Sequence, residues 1–123
     1  EVTAVFPKIM ETLTKQGFHW QSLAETDNPI YAVKFAQNEA PIICFSKVYS
    51  NSFNPTSAFC AIMTCSSADQ GCPLVVGAEA RFSIQYEDPK KYDGTNQMDE
   101  KYAERSLEIG QEMWYVFSEL SKA

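Results

Sequence analysis

The 123-residue sequence has a single histidine, His19, and no Cys-x-x-C pair, so it lacks the usual ligands of a zinc site. It has no apolar run near the ~18 residues that a membrane span requires. The opening EVTAVFPKIM has neither the basic start nor the long apolar stretch of a secretory signal, and no initiator Met stands before it. Basic residues are in the minority, with 10 Lys and Arg against 16 Asp and Glu, giving a net charge of −6. That balance disfavours nucleic acid and anionic membrane surfaces as partners. An anionic substrate would need local positive potential to overcome this field. Repeats, linkers and low-complexity segments are missing as well.

What remains is a globular composition, 45% hydrophobic and 13% aromatic, in one domain spanning 1–123. Four cysteines, Cys44, Cys60, Cys65 and Cys72, occur without a secretion signal. This favours reduced thiols in the cytoplasm, or a redox-active pair, over a structural disulfide framework.

Residues 6–18, FPKIMETLTKQGF, read as a short helix. Pro7 suits the first helical position, Ile9, Met10 and Leu13 share a face, and Gly17 stands where a C-terminal cap belongs. IYAVKFA (30–36) and PIICFSKVY (41–49) are rich in β-formers, and the QNEA between them has hairpin length. NSFNPTS is a loop. FCAIMTC (59–65) is short and nearly all apolar, as a strand buried on both faces of a parallel sheet would be. RFSIQYE (81–87) alternates like a half-exposed strand. A long helix is expected from about Asn96 to Leu120, with Met98, Tyr102, Ile109, Met113, Val116 and Leu120 on one face. Gly110 weakens it, since Gly costs about 1 kcal/mol in a helix interior. The order of elements predicts an α/β fold. A parallel strand at 59–65 needs neighbours on both edges, and few candidates precede it, so the expected fold lacks its N-terminal strands.

The chemistry concentrates in Met63–Gly94. Cys65 lies at the carboxyl end of a predicted strand, where ligands gather in open α/β sheets. The loop that follows could bring Cys72 back to it as an exchanging dithiol. Alternatively Cys65 is core filler and Cys72 a turn residue. In YEDP, Glu87 beside Asp88 could raise a carboxyl pKa for general acid work, and Pro89 biases Asp88 to an extended conformation. A turn with solvated carboxylates is the plainer reading. Lys90 and Lys91 could supply local positive potential. His19, between Phe18 and Trp20, reads as a packed or surface residue.

Taken together, TAVFPKIMETLTKQGF, FCAIMTCSSADQGCP, YEDP and the long terminal helix resemble the C-terminal two-thirds of low-molecular-weight tyrosine phosphatase-fold proteins. The similarity is greatest to thioredoxin-coupled arsenate reductases and related phosphatase-like bacterial proteins, and it spans nearly the whole chain. The resemblance implies a three-layer α/β sandwich with a small, mostly parallel sheet, with an inserted β-hairpin at about 30–49. It implies that a cysteine in a C-x5-R phosphate loop attacks the oxyanion, arsenate or a phosphate ester. Cys65 then attacks the arsenylated nucleophile and releases arsenite. Cys72 attacks Cys65, leaving an exposed disulfide for thioredoxin, and Asp88 protonates the leaving oxygen. No other cofactor is implied.

No C-x5-R occurs in this sequence. The family places that loop upstream of the segment that EVTAV resembles, so the expectation is a chain without turnover of its own. A plain protein tyrosine phosphatase and a non-catalytic interaction module are the other two readings. The lysines of DPKKYDG disfavour a phosphotyrosine rim. An incomplete sheet exposes strand edges, which predicts a homo-oligomer in which strands from another copy fill the gap.

Overall fold

The computed structural model describes residues 3–65, 70–71 and 74–123. Helix α1 spans Pro7–Lys15, with proline at its start. The chain ends it at Gly17, whose φ of +92° lets the Phe18 N–H turn back to the Leu13 carbonyl at 3.0 Å. Of the predicted apolar face, Met10 is buried and Leu13 half-buried, while Ile9 stays exposed.

Three strands follow: β1 (His19–Ala24), β2 (Ile30–Lys34) and β3 (Ile42–Cys44), an antiparallel sheet in the order β1-β2-β3. The predicted hairpin is thus the β2–β3 half of a meander. Sequence patterning misses β1 because no face of HWQSLA is buried, so no period-2 signal arises. The Trp20 ring meets Tyr31 edge-on at 5.4 Å, and its Nε1–H donates to Thr14 Oγ1 at 2.8 Å, fixing the sheet to α1. Strand β3 stops at Cys44, well short of the predicted Tyr49. The Asn28 side chain takes over the pairing, donating to the Ser46 carbonyl at 2.8 Å and accepting its N–H at 3.3 Å. Beyond it, Phe45 and Phe53 pack edge-on at 5.3 Å with Lys47 over the Phe45 ring.

Strands β4 (Phe59–Met63) and β5 (Ala78–Ser83) form a separate two-stranded parallel sheet. Gly77 leads into β5 with a φ of +89°, and a Cβ there would lie 2.2 Å from the Thr56 carbonyl oxygen. Only glycine permits that approach. β4 is not buried on both faces. Met63 is buried, but Cys60 and Ile62 are exposed, and among the described residues β5 is the single partner. A short apolar run cannot distinguish one covered face from two. β5 also starts and ends earlier than the 81–87 alternation predicts. Residues 84–86 still run beside β4, with Ile84 N–H donating to the Met63 carbonyl at 3.1 Å.

The long helix α2 spans Met98–Leu120 after a 3₁₀ turn at Pro89–Tyr92. It packs against α1 and that turn. Phe6 stacks at 5.9 Å on Tyr102, Ser106 donates to Gln16 Oε1 at 2.8 Å, and Asp99 bridges Lys8 and Lys15 at 2.8 and 2.7 Å. The core is thin: among the described residues, Met10, Val33, Met63 and Tyr102 are the buried apolar ones. The molecule is therefore mixed α/β, with two sheets of which the antiparallel one is larger. Among the described residues no helix is long and apolar enough to cross a membrane.

Candidate functional site

The carboxyl end of β4 opens onto a cleft of about 840 Å³. One wall is the segment before α1 together with Ile9 and Leu13, and the other includes Thr64, Asp88, Lys90, Tyr102 and Arg105. The geometry follows from the parallel pairing. The Tyr86 N–H donates to the Thr64 carbonyl at 3.0 Å, so the chain after β5 leaves the sheet at the same end as Cys65. Two residues later it reaches Asp88, on the rim of the cleft.

Asp88 is extended, with φ −69° and ψ 119°, as the following proline dictates. Its Oδ1 accepts the Lys90 N–H at 2.9 Å and so caps the 3₁₀ turn. The carboxyl is exposed, and its second oxygen has no hydrogen bond among the described residues. Cys65 is half-buried, one residue beyond cleft-lining Thr64. The structure thus brings the Cys65 end of β4 and Asp88 to one mouth. Cys72, the predicted resolving thiol, lies outside the described residues. Cys44 and Cys60 are elsewhere, on β3 and on the uncovered face of β4.

Glu87, the acidic neighbour of Asp88, is held by cations of its own. It is paired with Lys91 and, at 3.6 Å, with Arg105. The Lys91 contact, more than any other, holds the Glu87 carboxyl below its usual range, so Glu87 is a standing anion. Lys91 is accordingly committed to Glu87 and lies 4.9 Å over the Tyr92 ring. Lys90 lines the cleft without a carboxylate partner among the described residues.

Arg105 was not signalled by any motif. Its guanidinium, 15% exposed, contacts Glu87 and Glu108, and its buried Nε–H has no acceptor among the described residues. An unsatisfied buried donor is costly, and native structures contain few of them. The available signal was positional: Arg105 follows Tyr102 by three residues and precedes Ile109 by four, placing a cation within the apolar stripe. Tyr102 donates to Asp93 Oδ1 at 2.9 Å. Burial, then that hydrogen bond, pushes its phenol up to about 12, so it stays a neutral donor.

The cleft therefore combines two cations, Lys90 and Arg105, with two carboxyls, the half-free Asp88 and the Tyr102-bound Asp93, and an adjacent thiol. Among the described residues no group of three or more His, Cys, Asp or Glu side chains is placed to hold a metal ion. No protein-family model, no curated protein and no solved structure matches this chain.

Proposed function

We propose that the chain is an oxyanion-handling domain of the arsenate reductase or low-molecular-weight phosphatase type. Its substrate class is arsenate or a phosphate ester, and its setting is the cytoplasm. In this reading β4 and β5 belong to the parallel sheet of a three-layer sandwich. Cys65 and Cys72 form the thiol relay, Asp88 is the proton donor, and a thioredoxin-like protein reduces the relay disulfide. The attacking cysteine and its phosphate loop are not in this sequence, so the chain alone turns nothing over.

The observation that carries the reading is the Tyr86–Thr64 hydrogen bond. It ties the segment that leads from β4 to Cys65 to the turn bearing Asp88, at the mouth of a cleft with two cations. Arg105 supports it further. Its contact with Glu87, at 3.6 Å, is longer than a hydrogen bond and exchangeable for a tetrahedral anion. The relay balances as two thiols losing two electrons and two protons to form the Cys65–Cys72 bond. Those electrons reduce As(V) to As(III) when the relay resolves an arsenylated cysteine.

The direct test is mild oxidation of the chain followed by disulfide mapping. The expected product is a Cys65–Cys72 bond that thioredoxin reduces and that Cys65→Ser and Cys72→Ser each abolish. A chain that forms no such bond, while both thiols react with alkylating reagents, rules the relay out. A functional phosphatase parent that tolerates both substitutions would instead be a plain phosphatase.

A second reading has its own observation. Asp88 already serves the Lys90 amide as a turn cap, a sufficient structural reason for the residue. A non-catalytic interaction module of the same fold needs no more than this. It predicts that arsenate and phosphate leave the cleft unaltered in a nuclear magnetic resonance titration.

A further inference from the structure

Helix α2 carries a second apolar stripe that none of the described residues covers. At 100° per residue, the face toward α1 contains Tyr102, Ile109 and Met113. Roughly a quarter-turn away, Ala103, Leu107, Gly110, Trp114 and Phe117 recur at spacings of four, three, four and three. That is the repeat of a helix seam that packs on another helix. The side chains are bare: Leu107 is 58% exposed, Trp114 74% and Phe117 66%. With roughly 150–250 Å² for a whole aromatic side chain, these three leave on the order of 400 Å² uncovered. A symmetric pair would bury about 800 Å² from these side chains, the size of a weak, reversible interface.

Gly110 supplies an independent reason. Its backbone does not need glycine, since its φ is not positive. Its surroundings do not need it either, because an added Cβ would meet nothing within 4 Å. Glycine here weakens the helix and gives the isolated chain nothing in return. It does permit close approach of a second helix, as small residues do at helix crossings. It also sits at the middle of the stripe. Ala103 and Phe117 are each seven residues from it, and Leu107 and Trp114 three and four.

We propose that this face is closed by a second copy of the chain, α2 against α2, antiparallel and crossing at Gly110. Two-fold symmetry then sets Phe117 of one copy against Ala103 of the other, and Trp114 against Leu107, so that large meets small. It opposes the helix dipoles and brings Lys122 to the level of the partner's acidic first turn, Asp99 and Glu100 of the partner subunit. Both copies are acidic, so raising salt screens their repulsion and tightens the pair. The association thus lies on a helix rather than on the β4 edge. The interface is independent of the oxyanion reading.

Sedimentation equilibrium of the chain at micromolar concentration tests it. The expected mass is twice 13.9 kDa, with dissociation weakened by added salt. Trp114→Asp and Leu107→Arg should each raise the dissociation constant by roughly 30-fold or more. Mixed in equal amounts they should re-pair as a heterodimer, because antiparallel register sets the new aspartate beside the new arginine. Gly110→Leu should raise helix content by circular dichroism yet leave a monomer, which separates lost pairing from lost folding. A wild-type monomer at all concentrations overturns the proposal and leaves the stripe to another covering element. A dimer unaffected by these variants, or single variants that dissociate but fail to re-pair, overturns it equally.

Discussion

The Asp88 carboxylate receives the backbone N–H of Lys90 at 2.9 Å, so the proposed proton donor is also the cap of its own turn. The two roles separate by substitution. Asp88→Asn keeps the capping oxygen and should leave urea stability almost unchanged. Asp88→Ala should cost about 1 kcal/mol, as lost caps do. In a parent enzyme both should lower leaving-group protonation, so equal loss of activity at unequal stability identifies the acid role.

Asp99 joins the helices through Lys8 and Lys15, the Lys15 hydrogen bond contributing most. These lysines take its carboxyl from 3.8 down to about 2. A depressed folded-state value means that the stabilisation is complete above about pH 4 and is lost as pH falls through 2. Unfolding midpoints followed across pH 5 to 2 should therefore fall more steeply for the wild type than for Asp99→Asn. Parallel slopes would show that the bridge contributes nothing in solution.

Tyr86 donates to Glu112, and that bond more than burial pushes its phenol up to about 12, the same value Tyr102 reaches chiefly by burial. Raised values stabilise fully below about pH 10, and the contribution disappears as pH rises through 12. Phenolate absorbance should show Tyr86 and Tyr102 titrating late. Glu112→Gln should bring only Tyr86 back toward 10.

Two glycines in the left-handed region should respond differently to alanine. Gly17→Ala meets open space and should cost about 1–2 kcal/mol for the backbone conformation alone. Gly77→Ala adds a Cβ 2.2 Å from the Thr56 carbonyl oxygen, so β5 must shift away from the 56 loop. Its cost should exceed that of Gly17→Ala by at least 2 kcal/mol, a size typical of backbone strain compounded by a clash. Equal denaturation midpoints for the two variants would show that the 56 loop yields freely.

Sequence alone determined the elements whose signals are local. Pro7 and Gly17 bracket α1 because one presets φ and the other accepts a positive φ. The apolar spacing from Met98 to Leu120 specifies α2, β-formers mark β2, and a short apolar run marks β4. The mixed α/β class followed from their order. Asp88 with its proline was legible as a stiff, extended carboxylate. Tertiary structure decided the rest, because those features depend on partners distant in sequence. β1 becomes a strand only by pairing with β2, and β3 ends where the Asn28 side chain replaces a strand neighbour. Whether β4 is covered on one face or two depends on what packs against it, not on its composition. Arg105 enters the cleft because α2 lies against the turn after β5, and a lone arginine in a helical stripe does not announce which carboxylates it will meet.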